Sequence, residues 1–389
     1  MKKSFASIIL FCAFLINGYS EDLLKIDYIP SARLSAIGGA HSAMSEGFSS
    51  LFTNPASFRS EKGEFSLSEF TIGLKGPVFD IANIIISVIN GAGMEGVIAN
   101  PNVMTLLRSL YAGFDITGPI YFGYTGKGLG FGIFNSTDAT VMTSSGGLVL
   151  DANVGEQVYL AGGYAFRIPF SEALASYLDL GIMLKAGVRG EMKIQKSILE
   201  LITLFNSFDI MTQPFVFSAG IGVDVGLRYS LGDIFAFGLV AEDAFTPTLI
   251  RSFGSITDFV NGVQPATPDV NELIPFKLNG GFMFSPALGQ LNRVISDIDI
   301  YLDYFDILDF LVSPELSRNP LLNISLGLEC DLLEIFSIRA GFYEGLFAAG
   351  FGLDLSIFRL QASMFGSEKS SEPGLKPVYN LQIGFEFRL

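Results

Sequence analysis

A serine hydroxyl attacks a carbonyl only when a neighbouring base takes its proton, so a search for chemistry begins with histidine near serine. His41 is the only histidine among the 389 residues, and it stands beside Ser42 in a stretch of small residues. A hydrogen-bonding role is expected for it, and the chain reads as no enzyme. No cluster of His, Cys and carboxylates has metal-ligand spacing, so no metal and no cofactor is implied. Gly126-Lys-Gly-Leu-Gly-Phe-Gly132 has the glycines of a phosphate-cradling loop, but it reads as a turn and a strand without the helix such a loop must open.

What remains is apolar binding. Ile198, Leu201, Ile202, Phe205 and Phe208 recur at three- and four-residue steps, followed by Ile210 and Met211, and Leu249, Phe253, Ile256, Phe259 and Val260 do likewise. This spacing predicts two amphipathic helices. Both fall in loops, where such stripes either catch a hydrophobic molecule or dock the loops against one another. Burying one methylene is worth roughly 0.8 kcal/mol, so a groove covering about ten of them captures a scarce lipid. A third loop, with Ile84, Ile85, Val88 and Ile89 and then Val103, Leu106, Leu107 and Leu110, either joins this cap or lies on a membrane surface.

The elements that position these loops are strands. Period-two runs bounded by Gly, Pro, Asn and charges lie near 63–76, 114–125, 128–143, 157–168, 178–193, 215–230, 234–243, 276–285, 295–305, 321–331, 334–344, 346–355, 357–366 and 378–389. That makes about fourteen. Alternate connections are short, whereas most of the intervening ones are long, and 77–113, 194–214 and 244–275 read as helical extracellular loops. Such sorting by parity fits an all-β chain forming a transmembrane antiparallel β-barrel. In 178–189 an apolar face (Leu178, Leu180, Ile182, Leu184, Ala186, Val188) opposes Asp179, Gly181, Met183, Lys185, Gly187 and Arg189, which predicts a polar lumen of paired charges.

Both ends of the chain agree. Leu381, Ile383, Phe385, Phe387 and Leu389 share one face of a final strand whose pattern suits recognition by the barrel-assembly machinery, with outer-membrane lipid as its surroundings. Met1-Lys2-Lys3, the apolar Ile8–Ile16 and Gly18-Tyr19-Ser20 read as a signal peptide, residues 1–20, and hence as export. Cys330 is then the one remaining cysteine, so no intrachain disulfide is expected. The best candidate for a membrane helix, 81–99, is broken by polar residues and glycines. A net charge of −15 argues against nucleic acid as a partner.

Residues 21–60 do not read as strands. Ala36, Gly38, Gly39 and Ala40, then Gly47, then Asn54-Pro55-Ala56 resemble the N-terminal hatch of the long-chain fatty-acid outer-membrane transporters (FadL-like), and Asn319–Glu329 with the acidic balance is similar to the spirochaetal branch of that family. The resemblance implies a hatch over 21–60, with Gly38, Gly39, Asn54, Pro55 and Ala56 its marks, inside a barrel over 61–389. It implies passive uptake of hydrophobic molecules, fatty acids above all, caught in the groove between the two striped loops. A basic inward residue, with Lys185, Arg189 and Arg228 the candidates, would then meet the carboxylate. A general diffusion porin and a plugged barrel acting as a protein-secretion shuttle stand as alternatives.

Overall fold

The computed structural model describes residues 31–44, 47–61, 63–77, 80, 83, 86, 101–108, 110–144, 149–171, 174–197, 209–309 and 317–389. The signal peptide, residues 21–30 of the expected hatch, most of the first long loop and the stripe Ile198–Phe208 lie outside them.

Sixteen strands are found among the described residues: β1 Glu64–Lys75, β2 Tyr111–Gly126, β3 Leu129–Ser144, β4 Val149–Ser171, β5 Ser176–Ser197, β6 Phe215–Leu231, β7 Phe235–Phe245, β8 Pro247–Phe253, β9 Val270–Leu273, β10 Lys277–Phe284, β11 Ile295–Tyr304, β12 Ile324–Leu332, β13 Phe336–Tyr343, β14 Leu346–Asp354, β15 Phe358–Glu368 and β16 Pro377–Arg388. Their antiparallel pairing runs round a closed ring, from β5 through β4, β3, β2 and β1 to β16, and back through β10, β7 and β6 to β5. The ring has fourteen positions, because β7 and β8 share one and β9 and β10 another. β6 pairs with β7 at Gly226↔Val240 and with β8 at Gly220↔Thr248. Closure leaves no strand edge around the ring, the condition for a sheet in an apolar medium.

The alternation expected in β5 is present. Asp179, Met183 and Lys185 are buried inside, while Leu184 on the opposite face is 64% exposed, as are Ile221 (65%) and Phe347 (76%) elsewhere on the wall. Large apolar groups that exposed, facing outward from many strands, need lipid around them. No helix among the described residues is long and apolar enough to cross a bilayer.

The hairpins sort by parity. The turns at 126–129, 171–176, 231–235, 332–336 and 354–358 share one rim with the longer 284–295 connection and with both ends of the wall, here called the turn rim. The long connections lie at the other, the loop rim.

The loops themselves differ from expectation. Residues 244–275 are partly wall, since β8 and β9 extend the sheet, and the helix there is only Ile256–Val260 (α3). β5 likewise runs on to Ser197, into the expected 194–214 loop, whose described remainder holds one 3-10 turn, Ile210–Thr212. The first long loop carries the helix Pro101–Arg108 (α2). Ladder hydrogen bonds join β4 to β5, and β8 to β6 and β9, along these extensions, so they need no strict alternation.

Candidate functional site

Residues 31–60 pack against the inner face of the wall. A short helix, Ala32–Ala36 (α1), starts at Ser31, whose Oγ accepts from Leu34 N, and a 3-10 turn, Pro55–Arg59, starts at Asn54, whose Oδ1 accepts from Ala56 N at 2.9 Å. Proline at the first position of that turn has no N–H to leave unsatisfied. The same Asn54 donates from Nδ2 to Ser42 O (2.7 Å) and to Leu227 O of β6 (3.1 Å), so one buried side chain joins two parts of the segment to the wall. Arg228 of β6 answers with a bond from Nε to Ala43 O at 2.8 Å.

The marked glycines sit where the segment presses hardest. Gly38 has φ +73° and Gly39 φ +80°, conformations that cost an L side chain, and a Cβ on Gly38 would lie 2.9 Å from Phe342 O of β13. Ser325 Oγ donates to Gly38 O at 2.8 Å. Arg33 grips Glu329 of β12 through both carboxylate oxygens (3.0 and 2.8 Å), and Arg339 Nε holds the same carboxylate at 2.7 Å. Phe48 and Phe52 enter an aromatic cluster with Tyr121, Phe134 and Tyr159, the Phe52 and Phe134 rings edge-to-face at 4.7 Å.

On the loop side of this segment is a chamber of about 370 Å³, lined by Leu34, Leu51, Phe52, Met183, Phe305 and Phe365, with a polar end at His41, Asp224, Glu242 and Lys277. On its turn side are two polar cavities of about 680 and 390 Å³. Toward the loop rim, on the face of the wall that Ile221 and Val225 share, Phe253 of β8, Phe215 and Phe217 of β6 and Phe259 of α3 form a second aromatic cluster with centroids 4.8 to 5.5 Å from Phe259. α3 rests on the 3-10 turn, Thr257 Oγ1 donating to Met211 O at 3.0 Å. The two striped loops therefore meet through their described parts. Leu249 and Phe253, however, meet it from a strand and not from a helix, and only Ile256, Phe259 and Val260 are helical.

The three basic candidates each have partners in the wall or the segment. Lys185 Nζ, fully buried, lies 3.0 Å from Asp224 and 2.9 Å from Asp243, Arg189 holds Asp138 at 2.6 Å, and Arg228 Nη1 donates to Ser230 Oγ at 2.6 Å besides its bond to Ala43.

His41 serves as a structural tie. Nδ1 lies 2.6 Å from Gly39 O, Nε2 lies 3.4 Å from Glu242 Oε1, its ring packs on Phe305 (5.2 Å), and its backbone N–H donates to Asp303 at 3.1 Å. Burial pulls the imidazole pKa down, but the hydrogen bond and charge of Glu242, with Asp303 and Gly39 O, outweigh it and leave the group above its ordinary 6.5. A folded-state pKa raised in this way adds stability below the unfolded value near 6.5, and the addition is lost as pH climbs through the folded value. Relative to His41→Asn, the native chain is expected to hold an advantage of about 1 kcal/mol at pH 5.5 that shrinks by pH 8.5. Urea midpoints at the two pH values check this, and an advantage that grows with pH refutes the assignment.

Glu242, Phe305 and the wall glycines opposite the segment were not singled out by sequence, whereas Asp303 was placed on the inward face. Glu242 lies beside Asp243 (φ +51°), where the β6–β7 register shifts, and an acidic pair interrupting an apolar strand is the signal that could have marked it.

A scan against protein-family models finds no match, nor does a search of curated proteins. Among solved structures the chain is similar to the TodX monoaromatic hydrocarbon channel deltaS2 mutant, with TM-score 0.45 and 10% identity over 94% of this chain and 99% of that one. It is similar to a Pseudomonas aeruginosa FadL homologue with TM-score 0.28 and 8% identity over 92% and 98%, and to the translocator domain of autotransporter NalP from Neisseria meningitidis with TM-score 0.33 and 8% identity over 85% and 90%. The barrel is established by its own hydrogen-bond register, independently of these likenesses.

Proposed function

We propose that this chain is an outer-membrane barrel that passively takes up hydrophobic molecules, with residues 31–60 as its hatch and long-chain fatty acids as the ligand class that the N-terminal resemblance suggests. The observation that carries the reading is an apolar chamber inside the barrel, closed on its turn side by a segment packed across the lumen. A diffusion porin needs an open polar lumen, whereas here Phe48, Leu51, Phe52 and Phe58 pack where water would pass.

In the proposed path the ligand meets the cluster around Phe253 and Phe259, settles in the chamber, and leaves after the segment yields. Exit sideways through the wall and exit toward the turn rim are both compatible with this path. Turning Phe259 to aspartate places a charge among Phe215, Phe217 and Phe253 and removes the apolar surface that holds the ligand, which is expected to lower uptake of a labelled long-chain hydrophobe by cells about tenfold. Unchanged uptake by a normally folded Phe259→Asp protein sinks the capture step. Swelling of proteoliposomes in sugars at porin rates sinks the whole reading.

A further inference from the structure

We propose that the loop-side chamber holds its ligand uncharged, as a long-chain alcohol or a protonated acid, and turns away the carboxylate anion. The inference rests on the uptake reading and narrows it to a charge state.

The charged groups around the chamber decide the matter. From the wall come Lys185 on β5, Asp224 on β6, Glu242 and Asp243 on β7, Lys277 on β10 and Asp303 on β11, with Asp306 just beyond; His41 comes from the N-terminal segment and the neutral phenol of Tyr343 from β13. Asp224, Glu242, Lys277 and His41 line the chamber, with Asp243, Asp303, Asp306 and Lys185 behind them, so that this group of described residues sets five carboxylates against two amines and one imidazole. The ammonium of Lys185 is wholly buried between Asp224 and Asp243, beyond the reach of a third carboxylate. Lys277 stands opposite Glu242 in the ladder and draws on Asp306, which burial nevertheless pushes up to about 6. His41 is committed to Gly39 O and Glu242. Asp303 spends one oxygen on the N–H groups of His41 and Ser42 (3.1 and 2.7 Å).

The balance is negative whether or not His41 carries its proton. An anion entering a partly desolvated space of that sign is repelled more strongly the lower the effective dielectric, and its occupancy falls by at least about tenfold relative to a neutral head group of the same size. A hydroxyl suffers no such penalty and can donate to the carboxylates at the polar end, while its chain lies along Leu51, Phe52, Met183 and Phe305. A fatty acid gains the same standing once protonated, so its binding rises as pH falls while that of the alcohol stays nearly level.

The full chain, purified folded in detergent, is incubated at pH 8 with equal amounts of hexadecanol and hexadecanoate, and the lipid retained after gel filtration is quantified by mass spectrometry. Ala348→Trp, which puts a large ring at the chamber wall, serves to subtract lipid carried by the micelle. Hexadecanol is expected to exceed hexadecanoate at least about tenfold at pH 8, with the gap closing toward pH 5. Glu242→Gln combined with Asp306→Asn is expected to raise hexadecanoate binding at pH 8, provided the protein keeps its folded gel mobility. If hexadecanoate matches or exceeds hexadecanol at pH 8, the charge inference falls and hydrophobic uptake stands. If neither lipid is retained beyond the Ala348→Trp control, both fall.

Discussion

Gly238→Val is expected to break the seal of the barrel. A Cβ at Gly238 would lie 1.8 Å from Ser42 O and 2.2 Å from Ser42 C, which is backbone and cannot swing aside. Neighbouring inward glycines are as tightly used: at Gly226 a Cβ would meet Asn54 Oδ1 at 1.9 Å, and at Gly181 it would meet Pro55 C at 2.3 Å. Overpacking of one or two methylenes in a core costs about 1–3 kcal/mol, and an overlap of this depth exceeds what rotamer adjustment relieves. The wall is held by a continuous ladder in which β-branched valine is at home, so the segment is the part that moves. Steady ionic conductance in a planar bilayer is expected to rise at least about tenfold over the native chain, because a lumen of this strand number holds water once its filling is withdrawn. Gly162→Val supplies the control, since a Cβ there finds its nearest neighbours at 4.0 Å. A folded, silent Gly238→Val barrel would show that residues 31–60 do not seal the lumen.

The second large effect is expected at Lys185, through stability and not through ligand contact. Its ammonium bridges Asp224 and Asp243, and Asp243 sits with φ +51° in the irregular end of β7, just before β8. Asp243 N–H donates to Asp224 at 2.8 Å and Thr246 Oγ1 donates to Asp243 at 2.6 Å, so the triad shapes the bend itself. Lys185→Met leaves two buried carboxylates without their cation, which costs about 3–5 kcal/mol. Denaturant midpoints read this directly. Replacing all three members with neutral residues, Lys185→Met with Asp224→Asn and Asp243→Asn, is expected to recover most of the loss, because no uncompensated charge remains. By contrast Arg251→Ala, which breaks the exposed pair with Asp269, is expected to cost no more than about 1 kcal/mol. Equal losses at Lys185 and Arg251 would contradict the burial argument. Because β8 carries Phe253, the Lys185 variant also distorts the loop-rim cluster from a distance.

Much of the wall was legible because lipid on one side and a polar lumen on the other force alternation, and alternation is what a sequence displays. The fourteen positions and the parity of their connections survive, although β4 starts at Val149, eight residues before the expected run, and several other ends shift by two to four residues. The extension β8–β9 was misread for a definite reason: Leu249 and Phe253 are four apart, and a step of four returns to the same face on a strand as well as on a helix. The N-terminal segment stood out through Gly38, Gly39 and Asn54-Pro55-Ala56 by its resemblance to a hatch, a role that is proposed here. Its receiving sites, Gly181, Gly226 and Gly238, looked like ordinary strand glycines, since nothing local reports what approaches from across the lumen. For the same reason Lys185, Arg189 and Arg228 could be assigned an inward face from sequence but not their partners.

β1 and β16 lie at opposite ends of the wall's sequence, yet they are bonded from Leu74↔Leu381 down to the reciprocal pair Phe65 N to Leu389 O (3.0 Å) and Leu389 N to Phe65 O (2.8 Å). Until these two strands mate, every partly assembled cylinder carries two raw margins of unpaired amides and carbonyls, and no amount of hairpin formation elsewhere removes them. Completion of the wall therefore waits on the union of these two margins, which lie farthest apart along the chain.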